Sequence, residues 1–257
     1  MNAAALAAYF RAGFKQALAY RSGLWLTLLG ALVLVSVQVL LWKALTAGRP
    51  QGGAYIFFAV LARTFPLVFA ERAVFDFVGR RVQEGSLVVE LTRPVGLATA
   101  AAGFGLGQAL FRTVFLALPA GLLGLLWAGG DLGGFESARL VRFLPAFALA
   151  FLLAFLINHA LSLLSLWLGR PDGVLEVRDA LALVLGGGFV PLVLYPGWLK
   201  ALALASPFAA VYYAPAAALA GFEPYPLALQ AFWVVVLAAL TAILSRRVLA
   251  SSALAGG

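Results

Sequence analysis

The run "LWLTLLGALVLVSVQVLLWKAL", from Leu24 to Leu45, carries a single charge, Lys43, in twenty-two letters. Its length matches the roughly 20 residues that an α-helix needs to cross about 30 Å of hydrocarbon. In lipid every backbone N–H and C=O must be satisfied without water, so such a run is compatible with a helix and incompatible with a lone strand or an irregular loop. Five further apolar runs follow, at about Ala54–Ala73, Gly105–Trp127 with a helical lead-in from Ala98, Phe143–Leu168, Ala180–Tyr195 and Leu227–Leu244. The expectation is therefore an all-α polytopic membrane protein with six transmembrane helices, folded as one domain over residues 1–257. Composition agrees, since 64% of the residues are apolar and 11% charged, against roughly 45–50% and 25% in soluble domains.

The distribution of Arg and Lys orients these spans. The N-terminus, 74–97, 169–179 and the C-terminus form one set, with Arg72 at its edge, and hold eleven of the basic residues; the opposite set holds Lys43, Arg49, Arg139, Arg142 and Lys200. The excess of positive charge places both termini in the cytoplasm. The net charge of +8 then belongs to inner-side loops and gives no reason to invoke nucleic acid.

Two regions are apolar without reading as simple spans. Over residues 1–22, Leu6, Phe10, Phe14 and Leu18 recur every four residues while Arg11 and Lys15 fall to the side, the pattern of an amphipathic interfacial helix. A short soluble helix preceding the first span would show the same pattern. Over residues 196–226, the aromatic sequence is punctuated by Pro207, Pro215, Pro224 and Pro226. That stretch is too apolar for a solvated loop and too broken to cross, so it reads as short re-entrant or interfacial helices on the outer face. The fifth span is itself unusual, because Gly186, Gly187, Gly188 and Pro191 lie inside it and should break or kink a helix. No internal repeat, low-complexity tract or second domain is evident.

Several chemistries are excluded or weakened. A phosphate-cradling Walker loop needs Gly-Lys before Ser or Thr; the three lysines follow Phe14, Trp42 and Leu199, so ATP hydrolysis by this chain is not expected. With one His and no Cys, a zinc site lacks ligands. All ten acids fall at span ends or in loops, which removes most support for ion-coupled transport. His159, beside Asn158 and near Ser162 and Ser165, admits an intramembrane Ser-His hydrolase. The same small and polar stripe, continuing to Gly169, admits close helix packing instead.

Two arginines enter apolar runs. Arg63 sits near the middle of the second span, where insertion costs about 2.5–3.5 kcal/mol, and no membrane acid is available to pair with it. It either contacts a transported molecule and polar groups such as Gln38 and Asn158, or it snorkels and packs against carbonyls. Arg63, Gln38 and Asn158, with Tyr212 and Tyr213 of the broken outer region, are the candidate translocation-path residues. Arg112, near the inner edge of the third span on the face of Gln108 and Gly105, reads as a snorkelling residue.

The charged island "RRVQEGSLVVELTRPV", Arg80–Val95, separates the second and third runs. The second helix is expected to continue through Glu71, Asp76 and Arg80, stop at Gly85 and Ser86, and give way to a short helix that Pro94 ends. Leu87, Val88 and Leu91 form its apolar edge, and Arg81, Glu84, Glu90 and Arg93 its charged rim. Such a helix is suited to docking on a partner.

Together with "FRAGFKQALAYRSGLWLTLLG", "EGSLVVELTRPV", "GQALFRTVFLALP", "GGGFVPLVLYPGWL" and "SPFAAVYYAPA", taken in order, the chain resembles the permease subunit of type-two ATP-binding-cassette (ABC) exporters. Its length and arrangement are similar to the bacterial branch, and the resemblance covers nearly the whole chain. It implies an amphipathic helix before the first span, a coupling helix between spans two and three (region 74–97), and re-entrant helices between spans five and six. The ATPase-coupling residues would be Arg81, Glu84, Gly85, Ser86, Leu87, Val88, Glu90, Leu91, Arg93 and Pro94, although Thr92 stands where a larger apolar residue is expected. The resemblance further implies a bacterial cell membrane location, separate ABC ATPase subunits that carry Mg-ATP, no cofactor bound by this chain, and a second permease copy or paralogue. A membrane scaffold or channel without energy coupling, and a hydrolase built on His159, are the other classes open from sequence.

Overall fold

The computed structural model describes residues 3–19, 21–83, 95–130, 136–168 and 171–255. Among these every regular element is helical. An N-terminal helix α1 (Ala3–Ala19) precedes α2 (Arg21–Leu45) and the pair α3 (Gly52–Phe69) and α4 (Glu71–Gln83). Then come α5 (Leu97–Arg112), a π-helical turn at Thr113–Ala117, and α6 (Leu118–Ala128). The long α7 (Arg139–Leu168) and shorter α8 (Pro171–Leu185) lead to α9 (Gly197–Ala205), a second π turn at Ala209–Tyr213, α10 (Ala214–Ala220) and α11 (Leu227–Ala255).

Five stretches of the described residues are long and apolar enough to cross a bilayer: Gly23–Leu45, Gly52–Arg81, Leu97–Ala128, Arg139–Leu164 and Leu227–Val248. A sixth is reached by counting Gly197–Ala205 with Ala209–Ala220, a pair bent by 84° that has the form of a broken span or a re-entrant loop. The chain departs here from the fifth span expected at Ala180–Tyr195. Helix α8 starts at Pro171 and stops at Leu185, after which Gly187 takes a φ of 70° and Pro191 leads into a single tight turn at Leu192–Leu194. A left-handed φ favours glycine and Pro donates no backbone hydrogen bond, so the apolar run cannot continue as one helix.

The core lies between α3 and α7, where Phe65 and Phe69 interleave with Phe143, Phe147 and Phe151 at centroid separations of 5.2–6.3 Å. Offset and edge-on rings at these distances add to the area that they bury. Helix α10 and the π turn before it are buried against the same core. Gln230 of α11, fully buried, fixes that position by donating through Nε2 to the carbonyls of Ala146 (3.1 Å) and Ala210 (2.7 Å). By contrast α2 has no buried residue from Gly23 to Leu34 and joins the bundle only through its second half, at Val35, Val39 and Trp42.

Leu6, Phe10 and Phe14 of helix α1 lie against α5, while Leu18 is 51% exposed. Phe14 meets Phe111 edge-on at 5.6 Å and Tyr9 meets Phe77 at 6.0 Å. Close approach depends on glycines, since a Cβ at Gly13 would overlap the carbonyl of Phe104 and a Cβ at Gly107 would overlap that of Phe10. At Gly103 the nearest backbone atom, the oxygen of Leu6, would lie 2.8 Å away. Gly103 and Gly107 thus form a small-xxx-small ridge on which α1 is seated. Gly107→Val should lower the stability of the detergent-purified chain by about 1–3 kcal/mol through backbone displacement, while Gly30→Val, at a position with open space around it, should leave it unchanged. Thermal unfolding followed by tryptophan fluorescence distinguishes them.

Candidate functional site

The α3–α4 junction is where the second apolar run turns. Pro66 removes one hydrogen bond from the last turn of α3, and Ala70, fully buried, adopts a left-handed φ of 49° and ψ of 37°. That conformation is costly for a residue with a Cβ and persists only where its surroundings hold it. Its effect is to carry Glu71, the next residue, into the protein interior, where the side chain is 7% exposed.

Glu71 is not alone there. Arg178 of α8, 6% exposed, donates through a guanidinium nitrogen to Glu71 Oε2, and Tyr212 of the second π turn donates its hydroxyl to Glu71 Oε1 at 2.5 Å. The same Arg178 nitrogen lies 3.3 Å from the Tyr212 hydroxyl, and its neighbour reaches Asp179 at 3.1 Å. Each group alone would be a buried charge or a buried unmatched hydroxyl; together they satisfy most of one another's polar atoms, with Arg178 Nε left buried without a hydrogen-bond partner. Three elements distant in sequence are thereby tied at one point.

Of the candidate path residues, Tyr212 belongs to this centre and the others do not. Tyr213 points the other way, its hydroxyl 3.5 Å from the Glu223 carbonyl. Gln38 accepts a hydrogen bond from the Trp42 indole at 3.2 Å, and Trp42 stacks on Tyr55 at 5.4 Å. Asn158 donates to the Ala154 carbonyl at 2.7 Å, leaving Oδ1 buried without a partner. Arg63 meets none of the polar groups considered for it. Its guanidinium lies over the Phe189 ring, 5.4 Å from the centroid, with Nε buried and without a hydrogen-bond partner. This is a cation–π contact, and it places Arg63 beside the Gly186–Gly188 break.

His159 is fully buried and stacks on Phe155 at 5.5 Å; neither ring nitrogen has a hydrogen-bond partner. Ser162 directs its hydroxyl to the His159 backbone carbonyl at 2.7 Å. A Ser-His dyad requires the hydroxyl against the ring, so the hydrolase reading is set aside. In the segment between α10 and α11, the Tyr225 hydroxyl donates to the Leu204 carbonyl at 2.9 Å, and burial pushes its pKa up to about 12, so it acts as a fixed neutral donor.

Of the coupling residues, Arg81 alone lies within the described stretches. It lies in the last turn of α4, donating to the Phe77 carbonyl at 2.5 Å with its guanidinium 3.8 Å from the centre of the Phe77 ring. Glu84, Gly85, Ser86, Leu87, Val88, Glu90, Leu91, Arg93 and Pro94 lie outside the described residues. Sequence reasoning missed Glu71 and Arg178 because each sits at a span edge by composition. The available signal was an isolated acid and an isolated base, each within an otherwise apolar helical face.

A family model described as ABC-2 family transporter protein matches residues 53–256, which is most of the chain and includes the whole ionic centre. The chain belongs to the ABC-2 transporter family. No curated protein matches it. The family assignment and the apolar helices together make it a multi-pass membrane protein, an ABC-type permease.

The ionic centre gives a direct test of this ABC-2 permease's architecture. Arg178→Met strands the Glu71 charge and should cost about 3–5 kcal/mol, whereas the double substitution Glu71→Leu with Arg178→Met should recover most of that loss. Tyr212→Phe should cost about 1–3 kcal/mol by leaving a carboxylate oxygen underbonded. Thermal melts of the four purified proteins in one detergent measure this coupling.

Proposed function

We propose that this ABC-2 permease is the membrane-spanning half of an ATP-driven exporter, paired with a second copy or a paralogue and powered by separate ABC ATPase subunits. The observation that carries the reading is the family match over residues 53–256, because permeases of this family work with ABC ATPase partners and this chain lacks any phosphate-cradling Lys loop of its own. Mg-ATP belongs to the partner. ATPase closure is transmitted through the region 74–97 into rocking of the spans, with α9 and α10 re-entrant on the outer side. The two termini face the cytoplasm, as the Arg and Lys distribution supports, in a bacterial inner membrane.

In this reading Leu87, Val88 and Leu91 fill a groove on the ATPase while Arg81, Glu84, Glu90 and Arg93 form its rim. Buried apolar anchors carry most interface energy and rim charges little. Leu87→Asp with Leu91→Asp should therefore release the ATPase and abolish coupled transport in a reconstituted complex, and Glu84→Gln should be mild. Retention of the ATPase and parental transport by the double variant would remove the coupling role.

Orientation is tested in the same Cys-free chain. Gly96 and Gly197 have open space around them, so a cysteine at either is tolerated. An impermeant thiol reagent applied to intact cells should label Gly197→Cys and spare Gly96→Cys.

A further inference from the structure

A cavity of about 740 Å³ opens at the basic end of the bundle, between α1, the start of α2, α4 and α5. Arg72, Arg80, Arg81 and Arg112 line it with one acid, Asp76, and Asp172 stands 3.8 Å from Arg72, so four guanidinium groups share two acids among the described residues. Asp76 is already shared, 3.8 Å from Arg72 and 3.5 Å from Arg80. Arg112 makes no hydrogen bond or ion pair to any described residue, and neither does the side chain of Gln108 one turn before it. A cluster of guanidinium groups whose nearby carboxylates are already engaged by Arg72 and Arg80 calls for an anion at Arg112, and guanidinium groups suit phosphate oxygens.

The rest of the lining says what carries that anion. Leu24, Phe111 and Leu116 form an apolar wall, with Leu116 in the π turn that directly follows Arg112. Alongside, the first half of α2 stands away from the core, with Trp25 69% and Leu26 74% exposed. The cavity therefore pairs a cationic pole with an apolar flank that continues into surface facing the bilayer. A soluble anion uses the first feature and has no use for the second, whereas an amphiphile uses both.

We infer that this cavity binds the phosphate headgroup of an anionic phospholipid from the leaflet at the basic end, with its acyl chains passing between α2 and α5. The arginines neutralise the phosphate, and α1, held on its glycine ridge, closes the cavity on one side. On the orientation proposed above that leaflet is the inner one, which carries the anionic lipids that basic pockets between helices attract. Binding itself depends neither on that orientation nor on coupling to an ATPase, so the site and the exporter reading fail separately.

The test uses the full chain, purified and delipidated in detergent, with native mass spectrometry after addition of dioleoyl-phosphatidylglycerol, dioleoyl-phosphatidylcholine or inorganic phosphate. Phosphatidylglycerol should bind one per chain and well above phosphatidylcholine. Arg112→Gln should weaken it about fivefold, the factor expected for one basic residue at such a site. Because Arg112 is half-buried, Arg80→Gln supplies a second reading from an exposed position and should show a loss of similar size, whereas Arg247→Gln, exposed on α11 outside the cavity, should show none. Equal binding of phosphatidylcholine, or full retention of phosphatidylglycerol by both cavity variants, overturns the inference. So does inorganic phosphate that binds alone with the same dependence on Arg112, since that assigns the cavity to a soluble anion.

Discussion

The buried contact of Glu71 with Arg178 and Tyr212 is the interaction on which the arrangement of this permease turns. Each of its three elements is interrupted close by: α3 at Ala70, α8 at the Gly186–Gly188 break, and the α9–α10 segment at Ser206, where α9 gives way to the π turn. Broken helices have few intrahelical constraints on how their halves are set, so something else must set them. A carboxylate between a guanidinium and a phenol does so through direction as well as strength, because its two oxygens are taken by different elements. The stabilisation is conditional. A complete buried set gives little over an apolar core of the same shape, but an incomplete one leaves a charge where water cannot reach it.

Glycine does comparable work at the other end. The α1–α5 contact has no large interdigitating side chains at its centre because Gly13, Gly103 and Gly107 let the two backbones touch. Dispersion across so close a contact is collectively large, and it leaves Phe14 and Tyr9 to reach past the ridge to Phe111 and Phe77. The seat of α1 then defines one wall of the basic cavity. Arg112, which by position alone looked like a snorkelling residue, faces that cavity with Arg72, Arg80 and Arg81 because α1 and α4 enclose it.

Most of the helical layout was legible in the sequence, because length and continuity of apolar runs are what a bilayer demands. The runs beginning at Leu24, Ala54, Phe143 and Leu227 each correspond to an observed helix, and the lead-in from Ala98 is the first turn of α5. The fifth run failed for a specific reason: its apolar half, 180–195, is broken by glycine and proline, while the true helix α8 starts in the charged sequence Pro171–Asp179. Hydropathy discounts Arg178 as a charge, although pairing with Glu71, 107 residues away in the chain, makes it one of the most buried residues there. No local pattern encodes that pairing. Arg63 illustrates the same limit, since an arginine in an apolar run announces a partner without naming it, and the partner is an aromatic ring on the next broken segment.

These constraints bear on how a permease built this way moves. Alternating access needs two discrete arrangements of packed elements. Separating Glu71 from Arg178 would expose each charge to an apolar interior, at a cost of several kcal/mol. The α3–α4 junction, α8 and the Tyr212 turn should therefore travel together as one body, with the phenylalanine ladder of α3 and α7 inside it. Displacement must then fall where contacts are sparse. The first half of α2 is such a place, since nothing from Gly23 to Leu34 is buried. A ligand seated between that half of α2 and α5 would lie on the boundary between the rigid body and the part free to shift, and its occupancy would bias one arrangement over the other only so far as it binds them unequally.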